Sequence, residues 1–134
     1  MRITRFEDIE AWKAAQEMTR GIYKVTEPGR FGTDFDLARQ LRRAAGSAMS
    51  NIAEGFDAGT DPEFLRFLRM AFRSSTEVQS HLHIAVDAGH IDRPTFDRLY
   101  SNARDTKGLI GGFMRYLNHR RHRTDSKSAS SASR

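Results

Sequence analysis

Arg66, Arg69 and Arg73 recur at spacings of three and four residues with no acidic residue between them. Guanidiniums one helical turn apart, free of a local carboxylate, are suited to pairing with phosphates. Arg39 and Arg42 repeat the three-residue spacing upstream, and Arg115, Arg120, Arg121 and Arg123 follow towards the C-terminus. Together these are the candidate nucleic-acid-binding residues. A second polar row, Gln40, Arg43, Ser47, Asn51 and Glu54, runs at spacings of three, four, four and three residues. It lies directly beside an apolar seam and is expected to be at least partly buried. Ser74 and Glu77, further along the chain, are its candidate partners. Such a network more often fixes register or subunit contacts than performs chemistry, so Arg43, Ser47, Asn51, Glu54 and Glu77 are assigned to packing or subunit seams.

Other chemistries lack their residues. With no cysteine, thiolate zinc sites, disulfides and thiol nucleophiles are excluded. A di-iron bundle needs two Glu-x-x-His pairs, and the sequence holds none; Glu77 and His81 are one turn apart, while His81 and His83 fall on different faces of a helix. His81 is expected at a rim or interface. Ser47, Ser50, Ser74 and Ser75 sit in no nucleophile-elbow or Ser-His-Asp order. Gly108, Gly111 and Gly112 match no phosphate-loop pattern and fall inside a helical period, where close helix approach or local softness accounts for them. No catalytic residue, metal or cofactor is therefore expected, and the chain is not expected to be an enzyme.

The elements that would position these residues follow from periodicity. Phe64, Leu68, Ala71, Ser75, Val78, Leu82 and Ala85 alternate steps of four and three, as do Phe96, Leu99, Ala103, Thr106, Ile110, Phe113 and Leu117. Leu37, Leu41, Ala44, Ala48 and Ile52 form a third seam. Ile9, Trp12, Ala15, Met18, Thr19, Ile22 and Tyr23 form a broader fourth. Breaks at 27–34, 56–61 and 89–93 separate them. The expectation is an all-α fold, an antiparallel up-down-up-down four-helix bundle with helices near 8–26, 35–55, 61–88 and 93–118. Thr33 with Asp36 and Thr60 with Glu63 fit capping boxes, Asp92 fits a cap before Pro94, and Gly55 and Gly89 fit helix stops. Leu65 and Phe72 on the third helix, and Leu109 and Tyr116 on the fourth, stand outside the seams. They read as apolar shoulders for self-association.

Charge divides the chain unevenly. The formal net charge of +5 places five cations and one acid in residues 119–134, which leaves 17 cations against 16 acids in residues 1–118. Residues 1–118 are expected to be the bundle, and 119–134, with no large apolar residue, a disordered basic Ser-rich tail. No apolar leader or membrane span is read in the sequence, which suggests a cytoplasmic protein with no membrane partner.

The run from Gln40 to Gly55, ending Asn51-Ile52-Ala53-Glu54-Gly55, resembles the signature of the bacterial four-helix-bundle family of 23S rRNA intervening-sequence proteins. The resemblance extends from the segment Phe6 to Lys13, through Glu63 to Leu68 and Ser74 to Val78, to about Leu117. That family is similar to the accessory variability determinant of diversity-generating retroelements, a pentameric, basic barrel that binds nucleic acid and a reverse transcriptase. The resemblance implies a homo-oligomer, most simply a pentamer, and association with RNA or DNA, with a protein such as a reverse transcriptase as a further partner. In charge, this sequence departs from the accessory protein, because its bundle is near neutral. A protein-interaction scaffold with no nucleic-acid role is the alternative.

Overall fold

The computed structural model describes the backbone of residues 2–132 and the side chains of residues 2–120. After a single 3-10 turn at Phe6–Asp8 come four helices: α1 (Glu10–Val25), α2 (Phe35–Asp57), α3 (Asp61–Asp87) and α4 (Arg93–Ala132). No strand occurs among the described residues. Each helix packs on two others in a closed order, α2 on α3, α3 on α4, α4 on α1 and α1 on α2, with no diagonal contact. Short connections of three to nine residues force this arrangement, since each helix can only turn back along its neighbour.

The core follows the seams expected from periodicity except at Tyr23, which was expected on the first helix's apolar face and is 48% exposed. Met18, Ile22, Leu41, Ile52, Leu68, Val78, Leu82, Leu99, Ile110 and Leu117 are closed to solvent, and each such side chain contributes roughly 1.5–3 kcal/mol of transfer free energy. Ser75 and Thr106 are buried polar exceptions. Both return their hydroxyls to the backbone of the preceding turn, Ser75 to the Ala71 carbonyl at 3.0 Å and Thr106 to the Asn102 carbonyl at 2.8 Å, so neither is left unsatisfied.

Helix ends are set by local chemistry. Thr60 caps α3 by accepting from the Glu63 amide, Pro62 stands in its first turn, and Asp92 accepts from the Thr95 amide at 2.9 Å at the start of α4. Hydrogen bonds from the Thr95 hydroxyl and amide lower the Asp92 carboxyl from its ordinary value. At α2, however, the cap is Asp34 accepting from the Leu37 amide at 3.3 Å, not Thr33. Asp34 also meets His90 Nε2 at 2.9 Å, and His90 stacks on Phe31 with centroids 4.7 Å apart, which ties the first loop to the third. Gly55 is no stop. It lies buried inside α2, where a Cβ would meet Phe64 Cδ1 and Phe67 Cβ at 2.8 Å. The chain turns instead at Gly59, whose φ of +88° suits glycine; Gly89, at +78°, ends α3 as expected.

Two further expectations change. Leu65 is buried in the single chain, at 1% exposure. Leu65, Phe72 and Gln79 are heptad-spaced on the flank of α3 that meets α4, where Lys107 of α4 donates to Gln79 Oε1 at 3.1 Å. An α3 wedged between two neighbours buries a wider arc than a one-partner seam implies. Helix α4, for its part, passes the expected end at 118: its backbone is helical through Ala132, and His119 and Arg120 belong to it. The remainder of the expected tail, 121–134, with the candidates Arg121 and Arg123, lies outside the residues whose side chains are described. No helix among the described residues is long and apolar enough to cross a membrane.

Candidate nucleic-acid interface

The nine candidate arginines divide by partner. Arg66 donates to Glu63 Oε2 at 3.0 and 3.2 Å, one turn back on α3, and covers the Phe67 ring. Arg39 lies 3.8 Å from Asp36. Arg42 donates through Nε to Thr26 Oγ1 at 2.8 Å and through its terminal nitrogen to the Thr26 carbonyl at 2.9 Å, and it stands 4.6 Å from the Tyr23 ring centroid. It closes the C-terminal end of α1. Arg120 makes a two-pronged contact with Asp61 at 2.6 and 3.0 Å, so the end of the apolar part of α4 is fastened to the start of α3. This bond raises the Arg120 guanidinium above its ordinary range. Arg5, at the same end, lies 3.6 Å from Glu7 and 3.9 Å from Asp8. Arg5, Arg66 and Arg120 at that end are therefore all paired with carboxylates.

Arg69, Arg73 and Arg115 differ: none has a hydrogen bond or ion pair among the described residues. All three are exposed and line one hollow of about 320 Å³ between α3 and α4, with Phe72, Gly111, Met114 and Asn118. Their convergence follows from helix geometry. On α3, positions 69, 72 and 73 share the flank beside the seam that faces α4. On α4, positions 111, 114, 115 and 118 share the flank that faces α3. The spacing of Met114 and Asn118 around Arg115 carried that signal, but without the rotation of α4 against α3 it pointed nowhere.

The glycines shape the hollow. A Cβ at Gly108 would meet nothing within 4 Å, and one at Gly111 would sit 3.5 Å from Arg115 and 3.8 Å from Phe72, an ordinary contact. Close helix approach therefore does not explain them. The missing side chain at Gly111, the one glycine of the three that lines the hollow, leaves the edge of Phe72 at 36% exposure, while the Lys107 ammonium lies 4.8 Å from its ring centroid.

Arg39 and Arg42 do not extend this basic surface. Ser47 Oγ meets Ser74 Oγ at 2.9 Å, and Arg43 bonds Glu77. Along antiparallel helices, a step from 43 to 39 on α2 thus moves past 77 on α3 and away from 66–73. The polar row pairs with Ser74 and Glu77 as expected: Asn51 donates to the Ser47 carbonyl at 2.9 Å and to its hydroxyl at 3.0 Å, and Gln40 donates to Asp36 at 2.7 Å. Burial is less than expected for two members, since Arg43 and Glu54 are exposed. His81 is mostly enclosed; its Nε2 is 3.4 Å from Glu77 Oε2 without the alignment of a hydrogen bond, and neither ring nitrogen has a hydrogen-bond partner among the described residues. Among the described residues no three His, Asp or Glu side chains gather as a metal site.

A larger hollow of about 680 Å³ opens where α2 ends and α3 begins. Phe56, Phe64, Phe113 and Tyr116 wall it, and the Arg120–Asp61 pair lies at its edge. On α4, Leu109 and Tyr116 remain 43% and 54% exposed on the flank opposite Arg115 and Asn118, so the apolar shoulder and the arginine hollow do not compete for one surface.

The sequence profile of the family described as 23S rRNA-intervening sequence protein matches residues 7–112. Among solved structures, the chain is similar to a protein of unknown function from the S23 ribosomal protein family of Bacteroides thetaiotaomicron VPI-5482. The TM-score is 0.73 at 17% identity, covering 78% of this chain and 97% of that one. At that identity the likeness speaks for the fold. No curated protein is similar enough to this chain to count as a match.

Proposed function

We propose that this chain, which belongs to the 23S rRNA-intervening sequence protein family, is a non-enzymatic, self-associating bundle that binds nucleic acid. The observation that carries the proposal is the set Arg69, Arg73 and Arg115, unpaired among the described residues around one hollow, in a bundle whose other candidate arginines with described side chains hold partners. Unpaired guanidiniums gathered at one place repel each other in the free protein, and phosphates relieve that repulsion. Self-association rests on Leu109 and Tyr116, exposed on the free flank of α4. A ring of copies would repeat the arginine hollow around its surface and turn weak phosphate contacts into avid binding. The transferred assembly is a pentamer.

Sedimentation of the full chain with and without a labelled RNA tests both parts. Wild type should sediment as a homo-oligomer and retain RNA at about 50 mM salt, losing it steeply towards about 200 mM. A protein that binds no RNA or DNA at the lower salt is not a nucleic-acid-binding protein. The scaffold reading, which Tyr23, Phe35 and Ile84 favour as further exposed apolar residues, then takes its place.

A further inference from the structure

The geometry points to the α3–α4 hollow as a site for one unpaired nucleotide of a single strand, its base against Phe72 and its flanking phosphates on Arg69, Arg73 and Arg115. This rests on the nucleic-acid reading above and narrows it. Several features favour a single strand over a duplex. The hollow has a volume of about 320 Å³, near the lower limit of small-molecule clefts, which is the scale of a single nucleotide. Its lining combines cations with an aromatic ring and the thioether of Met114, whereas a duplex keeps its base faces stacked and offers mainly phosphates to such a surface. Stacking on an aromatic side chain is open only to a base already out of the helix.

The ring is also held in place. Lys107 is fixed by its bond to Gln79 at 3.1 Å and lies 4.8 Å from the Phe72 centroid, so it braces the ring on one side while Gly111 leaves the side towards the hollow open. Positioning of this kind lowers the ordering cost of binding. No other side chain in the hollow supplies a carboxylate that would oppose a phosphate; the remaining polar member, Asn118, can donate to a base edge or a phosphate.

The test is fluorescence anisotropy at about 50 mM salt with the full chain and four labelled probes of about 12 nucleotides or base pairs: oligo-U RNA, oligo-T DNA, and an RNA and a DNA duplex. Both single strands should bind more tightly than either duplex, and Phe72→Ala should weaken single-strand binding by about tenfold or more. Phe72→Tyr should stay within about twofold of wild type, and duplex binding, which needs only phosphate contacts, should move less than about twofold in either variant. Gly111→Leu fills the hollow without removing Phe72 or a charge and should reproduce the Phe72→Ala loss. It keeps the test valid should Phe72→Ala lose its helical circular-dichroism signal. If wild type binds duplex and single strand alike and both variants leave single-strand affinity unchanged, the nucleotide site is wrong while nucleic-acid binding stands. If no probe binds, the functional reading itself falls.

Discussion

Replacing Arg69, Arg73 and Arg115 together by glutamine isolates the phosphate-binding capacity of the hollow from every other cation in the chain. All three side chains are exposed and without partners among the described residues, so each substitution should change stability by no more than about 0.5 kcal/mol. The effect on binding can be worked out. For a single strand, each phosphate neutralised contributes about −0.7 to the slope of log K against log salt. Three arginines contribute about −2, and between roughly 50 and 200 mM salt, a span of about 0.6 log units, that share amounts to about a 20-fold loss of affinity per engaged subunit. The triple variant should therefore bind more weakly at about 50 mM salt and show a slope shallower by about 2, while its melting temperature stays within a few degrees of wild type. Anisotropy titrations of a single-stranded RNA at four salt concentrations measure the slope directly. A triple variant that keeps the wild-type slope would show that the phosphates lie elsewhere, whatever its affinity at one salt.

The two kinds of helical glycine should respond in opposite directions to alanine. Gly55→Ala places a Cβ 2.8 Å from Phe64 and Phe67 and should cost about 1–3 kcal/mol of overpacking, less about 1 kcal/mol of helix propensity. Gly108→Ala meets nothing within 4 Å and should add up to about 1 kcal/mol, or roughly 2–6 °C in thermal melting. Equal shifts in calorimetry would refute the packing described at Gly55. Arg42, unlike Arg69, should prove structural: Thr26→Val, which removes the hydroxyl that Arg42 Nε bonds at 2.8 Å, should cost about 1–2 kcal/mol in chemical denaturation, whereas Arg42→Gln should leave RNA affinity within about twofold.

Which parts of this molecule the sequence discloses depends on how local the deciding interaction is. Seams spaced by three and four residues give the helices, because a helix must turn the same face to the core at that period. Thr60 and Asp92 disclose their caps, since the bonded amide lies three residues on. Gly55 misleads: a glycine near the end of a periodic run is equally a stop or a close approach, and only the position of Phe64 and Phe67 on the next helix decides. Leu65 misleads for a related reason, because the width of a buried arc depends on how many neighbours a helix has. The polar row was legible as a row, and its pairing with Ser74 and Glu77 followed from antiparallel register. Its exposure was not, for Arg43 and Glu54 extend past the seam into solvent.

A charge total is a poor guide to where cations gather on this protein. Residues 1–118 carry 17 cations against 16 acids, a balance that describes a neutral surface only if the signs are evenly mixed. They are not. Arg5, Lys13, Arg20, Arg30, Arg39, Arg66 and Arg93 each stand within 4 Å of a carboxylate at a nearby position in the chain, and in solvent such pairs have little net field beyond a Debye length. Among the described cations outside such pairs, three gather at one place. Arg69 and Arg73 come from α3 and Arg115 from α4, more than 40 positions away in sequence, and no sequence window joins them. The bundle places them around one hollow and directs Glu77, the carboxylate one turn from Arg73, to Arg43 on α2 instead. Breaking the Arg43–Glu77 pair would therefore bear on the hollow as well as on packing, since a Glu77 released from Arg43 is one helical turn from Arg73 and free to compete for it. On the proposed reading, the polar row would favour phosphate binding without touching the ligand, by keeping its carboxylate engaged with α2.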